Sequence, residues 1–97
     1  MDDAKRNESG VAPGLAIVTG ASKGIGRSIA LALARKGHPV ACLSRSQTEL
    51  DDVVQDIQAL DVRAMGISTD VMSEGSIVAA IASAQSALGP VSILVNN

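Results

Sequence analysis

The chain has 97 residues, 46% of them hydrophobic, which is enough for one small core and leaves no room for a second domain. Eight Lys and Arg against ten Asp and Glu give a net charge of -2, and there is no Phe, Tyr or Trp. A basic field for a phosphate backbone and aromatic platforms for stacked bases are therefore both missing, which excludes nucleic acid as a partner, while the lone Cys42 excludes an internal disulfide and a multi-cysteine metal centre.

Residues 1–13 mix both charges, lack hydrophobic periodicity and end at Pro13, which predicts a flexible tail ahead of a single unit over residues 14–97. They contain neither the apolar core of a signal peptide nor the acid-poor character of a transit peptide. No apolar run approaches the roughly 18 residues of a membrane span, so a cytoplasmic protein without membrane contact is expected.

The first strand is predicted over Leu15, Ala16, Ile17 and Val18, a short apolar run that suits burial on both faces of a parallel sheet and stops at Thr19-Gly20. Between Ile25 and Lys36, four-residue spacing of Ile25, Ile29 and Leu33 around Ala30, Ala32 and Ala34 predicts a helix with an aliphatic stripe, closed by Gly37. His38-Pro39 makes a turn, with His38 expected in solvent. Val40 to Leu43 repeats the buried-strand pattern up to Ser44, with Cys42 as a small packed side chain. Ser46 or Thr48 caps a second helix in which Leu50, Val53, Val54, Ile57 and Leu60 follow the helical template and Asp51, Asp52 and Asp56 face away. A third strand runs from Val62 to Ser68. Ser73 and Ser76 open a third helix with Ile77, Ile81, Ala84 and Leu88 on one face, Gly89-Pro90 ends it, and Val91 to Val95 forms a fourth strand before Asn96-Asn97.

Strands alternating with helices through short connections require crossovers, hence a parallel sheet. With right-handed crossovers and a fourth strand returning beside the first, the spatial order is 3-2-1-4. The expected fold class is therefore α/β, an incomplete Rossmann-type doubly wound sheet of four strands and three helices.

Chemistry is expected where the first strand meets the first helix, at Thr19-Gly20-Ala21-Ser22-Lys23-Gly24-Ile25-Gly26. Gly20 permits a tight exit from the strand, Gly24 lets the backbone approach a diphosphate, and Gly26 lets the helix pack closely. Amide N–H groups over this turn and the positive end of the helix dipole then face the anion. A P-loop reading fails, because Lys23 precedes its glycine and Ile25 stands where Lys would be needed. At the end of the second strand an acidic residue would hold the ribose hydroxyls of NAD, and a basic one would accept the extra phosphate of NADP. The pair here is Ser44-Arg45. Arg45 offers a bidentate phosphate contact, Ser22 and Ser44 offer hydroxyls, and Lys23 adds a second cation, so NADP(H) is the expected cofactor. The missing carboxylate also argues against a methyltransferase-like sheet.

The spacing TGxxxGxG over Thr19–Gly26, together with Asp70-Val71 and Asn96-Asn97, resembles the short-chain dehydrogenase/reductase family from about Leu15 to the last residue. The resemblance implies that Asp70 accepts from the exocyclic amine of adenine, that Val71 offers the ring an apolar surface, and that Asn96 lies near the adenosine ribose. The implied cofactor set is Gly20, Ser22, Lys23, Gly24, Ile25, Gly26, Ser44, Arg45, Asp70, Val71 and Asn96. Ala34-Arg35-Lys36-Gly37 and Leu88-Gly89-Pro90-Val91 are similar to the branch of 3-oxoacyl carrier-protein reductases and carbonyl reductases. The implied reaction is hydride transfer between NADP(H) and a small carbonyl or hydroxyl substrate, in a full-length protein that forms a homo-oligomer.

Family members use a Tyr-x-x-x-Lys pair and an upstream Ser, all after the fourth strand, and this chain has no tyrosine. No catalytic residue and no metal ligand is assigned, and the chain is expected to be an amino-terminal portion inactive by itself. The alternative is a non-catalytic nucleotide-binding or interaction module.

Overall fold

The computed structural model describes residues 13–97, so the tail expected over residues 1–13 lies outside the described residues except for Pro13. The elements are β1 (Leu15–Thr19), α1 (Gly24–Arg35), β2 (Val40–Ser44), α2 (Gln47–Gln58), β3 (Ala64–Ser68), α3 (Glu74–Leu88) and β4 (Val91–Val95). All strand pairs are parallel, and the order is β3-β2-β1-β4, the order expected for a fourth strand that returns beside the first. Among the described residues no helix is long and apolar enough to cross a membrane.

Side chains of β1 and β2 alternate between two cores, as the two-residue repeat of a strand dictates. Val18, Val40 and Cys42 pack with Leu50, Val53 and Ile57 of α2 and with Ala30 and Ala34 of α1. Leu15, Ile17, Ala41 and Leu43 point to the other face, against Ala80 and Ala84 of α3. Burial on both faces explains why β1 and β2 read as continuous aliphatic runs. β4, at the sheet edge, is only half-buried and leaves Leu94 exposed.

α1 buries a different stripe from the one its aliphatic spacing suggests. Gly26, Ala30 and Ala34 are its buried residues, Ile29 and Leu33 flank them at the margin, and Ile25 is 73% exposed. Small residues let the helix axis come close to the sheet, and the bulkier aliphatics then splay to either side. α3 does the same with Ala80 and Ala84 inward, while Ile77, Ile81 and Leu88 are only partly buried. α2 follows its template at Leu50, Val53 and Ile57, but the helix ends at Gln58 and leaves Leu60 exposed in the following turn. Its cap is Ser46, whose Oγ accepts from the Glu49 amide at 3.3 Å, with the Glu49 carboxylate in the positive first turn. β3 starts at Ala64 rather than Val62, because its ladder begins only where Val40 opens β2.

His38 is not simply solvated. Its Nδ1 lies 2.8 Å from the carbonyl oxygen of Gly14, joining the α1–β2 turn to the entry of β1. Across the outer layer, Arg27 of α1 and Asp56 of α2 form an ion pair.

Cys42 is fully buried, and loss of hydration pushes its thiol from the ordinary 9.0 up to about 12, with Arg27 pulling weakly the other way. The folded state thus retains a proton that the unfolded chain releases above pH 9.0, so this group's contribution to stability falls as pH rises from 9.0 towards 12. The slope approaches about 1.4 kcal/mol per pH unit. Denaturant titrations of the parent and Cys42→Ala at pH 8 and pH 10 should show the parent losing about 1 kcal/mol more than the variant. Equal losses would contradict the burial of the thiol.

Candidate nucleotide-binding site

The carboxyl ends of the strands and the β1–α1 turn enclose a hollow of about 360 Å³. Thr19, Gly20, Ser22 and Lys23 line it from the turn, Ser44, Arg45, Ser46 and Glu49 from β2 and the start of α2, and Thr69, Val71, Asn96 and Asn97 from the ends of β3 and β4. This is the crevice outside the carboxyl ends of the strands, at the point where the sheet order reverses from β1 towards β2 on one side and β4 on the other.

Three glycines shape the turn in different ways. Gly20 and Gly24 have φ of +61° and +63°, a left-handed backbone that costs an L-residue about 1–2 kcal/mol. Around Gly24 a Cβ would meet nothing within 4 Å, so its environment is open. Gly26 is confined: a Cβ there would stand 2.0 Å from the Gly20 carbonyl oxygen and 2.7 Å from Asn97 Nδ2. Gly26 thus sets the approach of α1 to the turn itself.

Hydrogen bonds hold the rim. Ala21 N–H donates to the Leu43 carbonyl at 3.4 Å, and Ser44 Oγ donates to Ser22 Oγ at 3.1 Å, tying the turn to the end of β2. Thr19 Oγ1 accepts from the Asn97 amide at 2.9 Å and has the Val95 carbonyl and Asn96 Oδ1 within 3.3 and 3.4 Å as acceptors. Asn97 Nδ2 donates back to the Gly20 carbonyl at 3.3 Å. The Arg45 carbonyl accepts from Ser68 Oγ at 2.9 Å, so its backbone is fixed while its side chain is 76% exposed.

The electrostatics at the helix starts are uneven. Ser46 and Ser73 hydroxyls cap α2 and α3, each with a glutamate in the first turn. At α1 the N-cap is Lys23, in extended conformation, with no side-chain cap and no acidic residue in the first turn. A helix start so supplied has amide donors and positive potential, which favours an anionic ligand. Beside the hollow, a second one of about 240 Å³ lies under α3, lined by Ile17, Leu43, Ile77, Ile81 and Leu94 and sharing Thr19, Val71 and Asn96 with the first. The site is therefore polar and cationic at the turn and β2, and apolar towards α3. Among the described residues no group of three or more His, Cys, Asp or Glu could hold a metal ion.

The family model for short chain dehydrogenase matches residues 14–97. The chain belongs to the short-chain dehydrogenase/reductase family. Among curated family members, the chain is 42% identical over 83 residues to the 3-oxoacyl-(acyl-carrier-protein) reductase FabG of Staphylococcus aureus, covering 84% of this chain and 34% of that protein. It is 38% identical over 81 residues to the ketoacyl reductase HetN of Nostoc sp., covering 84% and 28%. Among solved structures, an actinorhodin polyketide ketoreductase with NADPH superposes with a TM-score of 0.82 at 36% identity, over 88% of this chain and 33% of that one. L-sorbose reductase from Gluconobacter frateurii, complexed with NADPH and L-sorbose, gives 0.83 at 30% identity over 90% and 34%. The chain thus spans about a third or less of the length of these short-chain dehydrogenase/reductase relatives.

Of the residues expected from sequence to form the site, Gly20, Ser22, Lys23, Ser44, Arg45, Val71 and Asn96 come together on the wall of the hollow. Gly24, Ile25, Gly26 and Asp70 are not on that wall: Gly26 is buried beneath it, Ile25 projects outward, and Asp70 turns its carboxylate to the Met72 amide at 2.9 Å and to Arg45. Thr19, Ser46, Glu49, Thr69 and Asn97 line it without having been expected to. Thr19 and Asn97 lie within the TGxxxGxG and Asn96-Asn97 motifs, and the hydroxyl-and-amide clasp between them appears only when the ends of β1 and β4 are adjacent. Ser46 was legible as a candidate serine cap, with no sign that the same turn, which carries Glu49, faces the hollow.

Proposed function

We propose that the hollow binds the adenosine and diphosphate of NADP(H), and that the protein carrying this segment transfers a hydride between NADP(H) and a small carbonyl or hydroxyl substrate of the 3-oxoacyl carrier-protein type. The observation that carries the reading is the assembly of Ser22, Lys23, Ser44 and Arg45 on one wall beside an uncapped, acid-free α1 start. Donors and cations converge there without the strand-end carboxylate that would favour a free ribose diol. The residues fit the group: the uncapped start of α1 and Lys23 suit a diphosphate, Arg45 and the serines suit a 2'-phosphate, and Val71 with the apolar recess suits a purine.

NADPH, when bound, supplies the hydride. The residues of this chain bind and orient: backbone amides of the turn and Lys23 neutralise the diphosphate, Ser44 with Ser22 and Arg45 fixes the 2'-phosphate, and Thr19 holds the β1 and β4 ends at a constant separation. This chain holds no tyrosine, so proton transfer to the substrate oxygen is not assigned to any of its residues. Calorimetric titration of the protein with NADPH and NADH tests the reading. NADPH is expected to bind at least about tenfold tighter, the scale of one charged hydrogen-bonded contact. Equal affinities would count against the cofactor assignment.

A further inference from the structure

Arg45 Nη2 lies 3.4 Å from Asp70 Oδ1, across the gap between the ends of β2 and β3. Both partners are firmly based. The Arg45 carbonyl is held by Ser68 Oγ, the Thr69 amide donates to the Ser44 carbonyl at 2.7 Å, and the Asp70 amide donates to Ser76 Oγ at 3.1 Å. Asp70 Oδ1 is further anchored by the Met72 amide. The mobile part of this arrangement is the guanidinium, which is largely exposed and sits on a long side chain. The same guanidinium is the one strong phosphate partner at the end of β2, and Asp70 is a carboxylate already bonded to it.

We propose that Asp70 is a specificity-setting residue acting through Arg45: its carboxylate competes with the adenosine 2'-phosphate for the guanidinium, and so limits the margin by which a 2'-phosphorylated nucleotide is preferred. The proposal rests on the nucleotide reading of the hollow. A 2'-phosphate captures Arg45 only by displacing Asp70, whereas a nucleotide with a free 2'-hydroxyl leaves the pair intact. Any contact of Asp70 with adenine is common to both nucleotides and cancels in the ratio of their affinities. Glu49 also lines the hollow, from the first turn of α2, and serves as a control carboxylate.

The test compares 2',5'-ADP with 5'-AMP by calorimetry on the intact protein. Asp70→Asn keeps an oxygen for the Met72 amide and removes the charge, and Asp70→Ser, whose hydroxyl can take the same amide, is a second variant if the first is poorly folded. The preference for 2',5'-ADP over 5'-AMP is expected to rise about threefold, the scale of an exposed arginine–carboxylate pair, and to rise less at high salt. In an Arg45→Ala background the same change should leave the ratio where it was. An unchanged ratio in the Arg45 protein, an equal rise in both backgrounds, or the same rise from Glu49→Gln with none from Asp70→Asn would overturn the competition. If Arg45→Ala abolishes the preference while Asp70→Asn leaves it untouched, the competition fails and the nucleotide site stands. If the parent protein shows no preference at all, both fall.

Discussion

Replacing Gly26 with alanine is expected to destabilise the fold by about 3 kcal/mol or more, lowering the melting temperature by roughly 12 °C or more. A Cβ at this position would lie 2.0 Å from the Gly20 carbonyl oxygen, a backbone atom that cannot rotate away, and 2.7 Å from Asn97 Nδ2. Relief requires α1 to back off from the turn, which unpacks Ala30 and Ala34 from the sheet. The same shift would loosen the Asn97–Gly20 hydrogen bond at the rim of the hollow. Gly75 provides the comparison, because it too lies in a helix but a Cβ there meets nothing within 4 Å and its φ is not positive. Gly75→Ala should be neutral or stabilising by up to about 1 kcal/mol, as helix propensity alone dictates. Thermal and urea unfolding of the two variants separates packing from propensity. Similar melting temperatures for both would mean that α1 does not approach the turn as closely as described.

The parallel pairing and the position of the hollow were legible because each depends on a local signal, and the strand order follows from them once the fourth strand returns beside the first. Doubly buried strands show as unbroken aliphatic runs at Leu15–Val18 and Val40–Leu43, and short connections leave right-handed crossovers as the economical route. The helix faces were less legible. Four-residue spacing of Ile25, Ile29 and Leu33 is a strong periodic signal, but the stripe one residue along, Gly26, Ala30 and Ala34, wins because close approach of backbone to backbone depends on smallness and not on hydropathy. Hydropathy patterns weigh an alanine below an isoleucine, and packing against a flat sheet reverses that order. At the site, residues whose role is set by their own backbone position, such as Gly20, were readable. The pairing of Asp70 with Arg45 was not, because the two lie 25 residues apart in sequence and meet only through the pairing of β2 with β3.

Removal of the Arg45 guanidinium should lower affinity for NADPH by about tenfold to a hundredfold, with NADH affinity changed less than about twofold. The asymmetry follows from where Arg45 sits. Its backbone is anchored by Ser68 at the end of β2, its side chain reaches over the hollow, and its present partner is a single exposed carboxylate that contributes little to folding. Arg45→Ala therefore should fold normally, with a melting temperature near the parent's, so a loss of binding cannot be attributed to unfolding. Arg45→Lys should fall between the two, because an ammonium retains the charge but not the two parallel donors that match a phosphate. Ser44 and Lys23 remain on the wall in both variants, which keeps the loss short of complete. A parallel drop for NADPH and NADH would locate Arg45 on a part of the cofactor that the two nucleotides share, such as the adenine or the diphosphate. In that event the preference for a 2'-phosphate would have to arise from Lys23 and the Ser22–Ser44 pair, and Lys23→Ala would become the variant that removes it.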